Sequence, residues 1–198
     1  MALPSIAPQI AKECNQVVTR AVFLDRDGVL NANIEHGDRP VAPTSLAEFR
    51  LLRGAEEAVC RLKTAGFIVV VVTNQPDVAT GRTAKATVEA MHVELRRAMP
   101  IDDIKICYHV DADQCLCRKP KPGMLLEAAA EWNLDLHASY LVGDRWRDVE
   151  AGRAAGCFTI FIDYDYLQDG PSRPDKVVHS LPDAVSYIMA REQSGNDP

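Results

Sequence analysis

The strongest constraint on the fold is a run of apolar residues, FIVVVV, at positions 67–72, which is followed by Thr73 and Asn74. The run is rich in β-branched side chains and shows no alternation with polar residues, so a strand formed from it must be buried on both faces. A second run, AVFL at 21–24, has the same character and is followed by Asp25. Strands of this kind are typical of a parallel sheet that is covered by helices on both sides.

Helical patterns alternate with such strands along the rest of the chain. Helices are predicted over 54–66, 83–99, 122–133, 146–155 and 181–192, and further strands over 103–109, 139–144, 157–163 and 177–178. Gly66 suits the C-terminal cap of the first helix, and Pro122 suits the first turn of the third. This order of elements predicts an α/β fold built on a doubly wound parallel sheet.

The chain has 198 residues, a length that fits one domain with a substantial core, and it contains no internal repeat or linker. We therefore predict a single domain over 1–198, in which 1–19 form an N-terminal arm and 193–198 a frayed tail. The polar segment 28–50 is predicted to be a long loop, and a long loop inside a compact domain is usually functional or mobile.

The composition favours a protein that acts on a small molecule. A net charge of -6 gives no support to a nucleic-acid or anionic-membrane partner. No apolar run approaches the ~20 residues of a membrane span, and the first residues lack the basic start and apolar stretch of a signal peptide. We expect a cytoplasmic protein, and a monomer because no exposed apolar stripe is evident.

Acidic and polar side chains follow three of the predicted strands. Asp25 and Asp27 come after the first strand, Thr73 lies at the end of the second, and Asp144 ends the strand at 139–144. Ligands of open parallel sheets bind beyond the carboxyl ends of the strands, so these side chains are expected to share one edge. Taken singly, each has an ordinary alternative, because acids and Thr-Asn pairs are common in turns.

Two carboxylates two residues apart can divide the work of a phosphoryl transfer. Asp25 can attack phosphorus, and Asp27 can protonate the leaving oxygen and later deprotonate water. The anionic oxygens of a phosphate repel a carboxylate, so a divalent cation must bridge them, and Mg²⁺ prefers such oxygen ligands. Lys119, within CRKPKPG, can neutralise the same site, although a basic run of this kind is most often a solvated loop.

A second metal site is indicated by four residues within one short segment: Cys107, His109, Cys115 and Cys117. Three thiolates and one imidazole complete a tetrahedral Zn²⁺ set and leave no open position for water, which indicates a structural role. The alternative is a group of free cysteines beside a chance histidine. A metal at this loop would fix the two cations that follow Cys117, Arg118 and Lys119, against the site.

Four motifs occur in order: DRDGV after an apolar strand, TN after the next strand, RKPKPG, and VGDRWRD. Together they resemble the haloacid dehalogenase (HAD) superfamily of phosphohydrolases, over residues 21 to about 163. The resemblance implies that Asp25 is the nucleophile and Asp27 the general acid/base. It also implies that Thr73 and Lys119 bind the phosphoryl group, and that Asp25, the backbone carbonyl of Asp27, and Asp144 hold Mg²⁺.

Three neighbours of these residues receive roles on the same basis. Asn74 adjoins Thr73 and is expected to take part in phosphate binding. Arg145 occupies the position after Asp144 where the superfamily often has lysine, and is expected to bind substrate. Asp148 is expected to orient its neighbours and not to touch the metal.

The cysteine segment resembles the HAD branch that contains D-glycero-D-manno-heptose 1,7-bisphosphate phosphatases and histidinol-phosphate phosphatases. This resemblance implies a role for Arg118 in substrate recognition. The intervals from Asp27 to Thr73 and from Thr73 to Lys119 are each 46 residues long and nearly filled by predicted elements, so no cap domain is expected. The loop 31–48 and the zinc loop would then form the rim of the site.

The predicted activity is hydrolysis of a small sugar (bis)phosphate through an aspartyl-phosphate, with heptose bisphosphate as the first substrate and heptose 1-phosphate as its product. Histidinol phosphate remains the alternative within the same chemistry, because Pro76 and Asp77 depart from the superfamily's pattern of small residues and the zinc loop is short. Two other classes are a phosphoaccepting signalling domain, which lacks a second acid like Asp27, and an inactive zinc-stabilised binding protein.

Overall fold

The sheet is built around β1, whose four residues are fully buried. The computed structural model describes residues 19–36, 39–165 and 173–194. The strands are β1 (Ala21–Leu24), β2 (Ile34–His36), β3 (Arg39–Val41), β4 (Ile68–Asn74), β5 (Asp103–Cys107), β6 (Tyr140–Gly143), β7 (Phe158–Ile162) and β8 (Lys176–Val178). Six of them form one sheet in the order β5-β4-β1-β6-β7-β8, in which every neighbouring pair is parallel.

Five helices cover the two faces of this sheet. They are α1 (Ala55–Thr64), α2 (Lys85–Ala98), α3 (Gly123–Trp132), α4 (Trp146–Ala155) and α5 (Leu181–Ser194). Val22 and Leu24 pack in a core cluster with side chains of α1, α2 and α5, whereas Ala21 and Phe23 pack with side chains of α3 and α4. Because successive side chains of β1 enter opposite cores, the absence of alternation in its sequence is explained. The predicted α/β doubly wound fold is confirmed.

The path of the chain through the sheet fixes where the site lies. From β1 the chain moves outward to β4 and β5, and it then returns to β6 on the other side of β1 and continues to β7 and β8. The direction of winding therefore reverses between β1 and β6. Ligands of open α/β sheets bind beyond the carboxyl ends of the strands at such a reversal.

The segment predicted to be a long loop contains an unexpected element. Strands β2 and β3 pair antiparallel, with Ile34 opposite Val41, and form a small hairpin apart from the main sheet. Each strand has three residues, which is too short for an alternating pattern to be recognised, and Pro40 argues against a strand. The prediction of an irregular loop was wrong for these residues.

The ends of the chain and its intervals complete the description. The predicted N-terminal arm lies outside the described residues except at Thr19, which forms a backbone bridge with Leu134. Helix α5 continues to Ser194, and 195–198 also lie outside. Between Asp27 and Thr73 the described residues form the hairpin, α1 and most of β4. Between Thr73 and Lys119 they form α2, β5 and a short 3₁₀ turn, so the described part of neither interval contains a cap domain. None of the described helices is both long and apolar enough to span a membrane.

Gly152 sets the distance between α4 and the sheet. A Cβ at this position would lie 2.7 Å from Cγ2 of Thr159 and 3.0 Å from Cδ2 of Leu141, both of which are buried. We expect Gly152→Ala to lower the free energy of unfolding by about 1–3 kcal/mol through overpacking, although alanine favours helices more than glycine does. Urea unfolding measures this.

The control is the opposite change at an exposed position of the same helix. Ala154→Gly is expected to destabilise by about 1 kcal/mol through lost helix propensity alone. A stabilised Gly152→Ala variant would contradict the close packing.

Candidate active site

The carboxyl ends of β1, β4 and β6 bring the predicted site residues to one edge of the sheet. The backbone N–H of Asp25 donates to the carbonyl of Val142, which continues the pairing of β1 with β6 by one residue. Asp144 follows β6, and the turn after β1 packs directly on its carboxylate. A Cβ on Gly28 would lie 2.1 Å from Oδ2 of Asp144, and Gly28 has φ +84°, so only glycine fits there.

Lys119 joins two acids of this edge. Its Nζ lies 2.9 Å from Oδ1 of Asp25 and 2.5 Å from Oδ1 of Asp148, and it donates to the carbonyl of Val72 at 2.7 Å. The side chain is 2% exposed. Burial opposes its charge, but the carboxylates of Asp148 and Asp25 outweigh burial and hold the pKa of Lys119 above its usual value. The ammonium group therefore stays charged beside the predicted nucleophile.

The side chain of Asn74 holds the backbone of Lys119, and its part in phosphate binding stays a prediction. Its Nδ2 donates to the carbonyl of Lys119 at 3.0 Å, and its Oδ1 accepts from the N–H of Lys119 at 3.1 Å. These two bonds fix the backbone that carries Lys119 against the end of β4. Asn74 also lines the cleft above the acids, but its amide is occupied by the lysine loop.

The acids at the edge carry more negative charge than their protein partners balance. Oxygen atoms of Asp25, Asp144 and Asp148 lie within 4.8 Å of one another. Burial, and then the neighbouring Asp148, raise the pKa of Asp25 to about 7 against the opposing effect of Lys119. Burial and Asp25 likewise raise the pKa of Asp144 well above its usual value. Carboxylates that are buried close together repel one another, and a bound cation would relieve that repulsion.

The donor atoms fit Mg²⁺ between Asp25 and Asp144. Oδ1 of Asp144 is buried and accepts no hydrogen bond, whereas its Oδ2 accepts from Nδ2 of Asn33 at 3.2 Å. Asp148 is engaged otherwise, because its Oδ1 pairs with Lys119 and its Oδ2 accepts from the N–H of Arg145 at 3.1 Å. An unpartnered carboxylate oxygen that faces another buried acid is a suitable ligand for a hard cation.

Asp27 is held by three side chains that sequence reasoning did not identify. Nη2 of Arg26 donates to Oδ1 and to Oδ2 of Asp27, each at 2.9 Å. Asn31 donates to Oδ1 at 2.9 Å and Gln75 donates to Oδ2 at 2.7 Å. The carboxylate therefore has a fixed orientation. Gln75 also donates to Oγ1 of the buried Thr73 at 2.9 Å, which links the predicted acid/base to the predicted phosphate-binding hydroxyl.

Arg26 is itself fully buried and reaches back to helix α2. Its Nη1 lies 3.2 Å from Nε2 of His92. Burial, and then the charge of Arg26, lower the pKa of His92 to about 4. His92 is therefore neutral near pH 7, and its Nε2 is the acceptor because a guanidinium can only donate. The one sequence signal for this pair was an arginine placed between two acids.

A cleft of about 530 Å³ opens above these acids. The cationic side chains that line it are Lys119, Arg82, Arg118, Arg145 and Arg147. Arg145 donates to the carbonyl of Pro40, so the β2–β3 hairpin forms part of the rim as the predicted loop would. A larger cavity, of about 750 Å³, lies at the amino ends of β6 and β7, but neither possible metal group of the described residues is located there.

The four predicted zinc ligands converge beside the cleft. Sγ of Cys117 lies 3.4 Å from both Sγ of Cys115 and Nδ1 of His109, and Sγ of Cys107 lies 3.6–3.7 Å from the same two atoms. A tetrahedral zinc ion about 2.3 Å from each sulfur requires sulfurs about 3.8 Å apart. The spacing and the donor types therefore fit Zn²⁺ with all four positions filled by protein.

Comparison with known proteins places this fold and site in a class. A family model described as HAD-hydrolase-like matches residues 116–184, which include Lys119, Asp144 and Asp148. With the parallel sheet and the acids at its edge, the match defines a HAD-type phosphatase, a phosphoric monoester hydrolase.

Similar proteins define the family within that class. A D-glycero-β-D-manno-heptose-1,7-bisphosphate 7-phosphatase of Yersinia pestis is 36% identical over 86% of this chain and 96% of its own length. The same enzyme of Neisseria meningitidis is 36% identical over 86% of this chain and 95% of its own length. The D,D-heptose 1,7-bisphosphate phosphatase of B. bronchiseptica, solved with magnesium and phosphate, has a TM-score of 0.76 and 31% identity over 88% of this chain and 99% of that chain. The chain belongs to this heptose bisphosphate phosphatase family.

The raised pKa of Asp25 predicts that Mg²⁺ binding depends on pH. A protonated carboxyl is a poor ligand, so we expect Mg²⁺ affinity to rise about tenfold between pH 6 and pH 8. In the metal-free protein, the folded state keeps a proton that the unfolded state has lost, so the free energy of unfolding falls as pH rises from about 4 to about 7. Calorimetric titration with Mg²⁺ measures the first effect and urea unfolding the second. A Mg²⁺ affinity that does not change with pH would contradict the uncompensated burial of Asp25.

The geometry of the cysteine segment predicts that one zinc ion supports the lysine loop. Cys117→Ser is expected to lower zinc content, thermal stability and phosphate affinity together, because Arg118 and Lys119 directly follow this ligand. Metal analysis, thermal unfolding and inhibition by inorganic phosphate measure the three quantities. Cys60→Ser, at an exposed cysteine of α1, is the control and should leave all three unchanged. A wild-type protein with full activity and no zinc would contradict the prediction.

Proposed function

We propose that this chain is a Mg²⁺-dependent phosphatase that removes the 7-phosphate of D-glycero-D-manno-heptose 1,7-bisphosphate through an aspartyl-phosphate on Asp25. The observation that carries the proposal is the contact of a buried, charged Lys119 with Asp25 at the edge where Asp144 offers a free oxygen. The family names given above support the sugar substrate. Catalytic roles for the individual residues remain predictions that the geometry supports.

The first half of the reaction uses Asp25 and Asp27. A carboxylate oxygen of Asp25 forms a bond to phosphorus while the bond from phosphorus to the sugar oxygen breaks, and Asp27 gives that oxygen its proton. Oδ1 of Asp25 accepts from the N–H of Arg26 at 2.7 Å and pairs with Lys119, so the attacking group is held in place. Bound Mg²⁺ would neutralise the charge of the phosphoryl oxygens and of Asp25.

The second half regenerates the enzyme. Asp27, now ionised, takes a proton from water, the water oxygen attacks phosphorus, and the bond to Asp25 breaks to release inorganic phosphate. Asp27 lines the cleft in which these proton transfers are proposed to occur, and Asn31 and Gln75 hold its carboxylate there. We expect Thr73 and the lysine loop to bind the transferring group on the side of β4.

The charge of the cleft favours a substrate with a second anionic group. Arg118, Arg145 and Arg147 line the cleft in addition to Lys119, whereas Asp77 is paired with Arg82 at 3.3 Å. Histidinol phosphate carries an amine beyond its phosphate, and the arginines would repel it. The same argument favours a bisphosphate over a sugar monophosphate that has no second anionic group.

The other classes have weaker support. A phosphoaccepting signalling domain has no need of an acid such as Asp27, which is elaborately held here. A dead binding protein would have no reason to keep Asp25, Lys119 and Asp144 together. A cytoplasmic location, a single domain and a monomeric state remain predictions from the sequence, as does the absence of a membrane or nucleic-acid partner.

Phosphate release from purified protein tests the substrate. We expect kcat/KM for heptose 1,7-bisphosphate to exceed that for histidinol phosphate by at least about 100-fold, because one substrate is attracted by the arginines and the other repelled. The assay requires Mg²⁺ and should lose its activity with EDTA. A preference for histidinol phosphate would overturn the assignment.

Asp25→Asn is the mechanistic control. The amide cannot form an aspartyl-phosphate, so we expect turnover to fall by at least about 1,000-fold in a protein that still folds. Asp183→Asn, at an exposed acid of α5, matches the chemical change away from the site and should retain full activity. An unchanged rate for Asp25→Asn would exclude covalent catalysis at this residue.

A further inference from the structure

Asp111 joins two arginines that come from separate parts of the chain. It lies in the 3₁₀ turn of the zinc loop, and its Oδ1 accepts from Nε of Arg118 at 2.8 Å. The same carboxylate accepts from Nη1 and Nη2 of Arg147, in the first turn of α4, at 2.9 and 3.2 Å. Two guanidinium groups thus meet at one carboxylate, and both side chains line the cleft.

The charges of this group do not balance. Two cations share one anion, so a net positive charge remains where the zinc loop meets α4. Both guanidinium groups donate to the carboxylate of Asp111, which holds them together. The carboxylate uses Nε of Arg118, whereas Nη1 of Arg118 is buried and has no hydrogen-bond partner. Arg118 and Arg147 both line the cleft, and a planar, charged guanidinium group suits a phosphate group.

The position of the pair complements that of the reaction centre. Lys119 directly follows Arg118 and contacts Asp25, and Arg147 adjoins Asp148, which contacts Lys119. Each arginine therefore directly precedes a residue of the reaction centre: Arg118 precedes Lys119, and Arg147 precedes Asp148. A substrate phosphate that is not hydrolysed would face them while the other phosphate faces Asp25.

We propose that Arg147, together with Arg118 and oriented by Asp111, binds the second phosphate of the substrate, so that Arg147 is a specificity-determining residue and Asp111 a positioning residue. The inference rests on the proposed function, because it requires a bisphosphate. It extends the site to a residue of α4 and an acid of the zinc loop to which the sequence motifs assigned no role. It also gives the zinc loop a second purpose, since the loop carries Asp111 as well as Arg118.

The test compares two substrates that differ only in the second phosphate, heptose 1,7-bisphosphate and heptose 7-phosphate. Arg147→Gln is expected to lower kcat/KM for the bisphosphate by about tenfold or more, mainly through KM, and to change it for the 7-phosphate by less than about twofold. Arg147→Lys keeps the charge without the planar fork and should recover part of the loss. Asp111→Asn should lower the bisphosphate value severalfold, and the double variant should be no worse than Arg147→Gln, because both changes affect one unit.

Arg153→Gln is the matched control. Arg153 is an exposed arginine near the other end of α4, and its loss should leave both substrates and the melting temperature unchanged. A salt bridge that only braces the zinc loop would affect the two substrates equally, and that result would overturn the inference. So would an Arg147→Gln variant that keeps the wild-type preference for the bisphosphate. A wild-type enzyme with no preference between the two sugars would instead overturn the proposed substrate class, and the inference with it.

Discussion

The ion pair network of Lys119 is the contact on which the rest of the site depends. A buried ammonium group without partners would cost several kcal/mol, and so would each buried carboxylate. Lys119 relieves this cost for Asp25 and Asp148, and Arg145 pairs with Asp144 at 3.4 Å, but two cations do not balance three acids. The remaining charge favours the binding of a divalent cation at this edge of the sheet. Binding of metal and stability of the folded edge are therefore coupled.

The lysine reaches this position only because its loop is held from several directions. Asn74 binds its backbone through two hydrogen bonds, and the carbonyl of Val72 accepts from its Nζ. The cysteine cluster ends two residues before it, at Cys117, and anchors the loop from outside. A zinc ion bound by these four residues would hold the loop, and so keep the ammonium group of Lys119 in contact with Asp25.

The sequence predicted correctly which polar side chains at the ends of buried strands lie together, because a parallel sheet brings the carboxyl ends of its strands to one edge. Asp25, Thr73 and Asp144 belong to this class, and the zinc set was evident because its spacing is short. The contacts that were missed depend on how helices pack. Arg26 and His92 are 66 positions apart, and Asp111 and Arg147 are 36 apart, so no local pattern relates them. Asn74 shows the intermediate case, in which the residue was identified and its partner was not.

The distribution of charge explains how an acidic chain can serve an anionic substrate. With a net charge of -6, the protein as a whole repels a bisphosphate, and long-range attraction cannot bring the two together. The arginines of the cleft act at short range, where a low-dielectric wall strengthens each contact. Their own repulsion is limited by acids placed outside the reacting centre, such as Asp111 and Asp77. Removing such an acid would add positive charge to the cleft and still weaken recognition, because a guanidinium group binds phosphate well only when its plane is held in position.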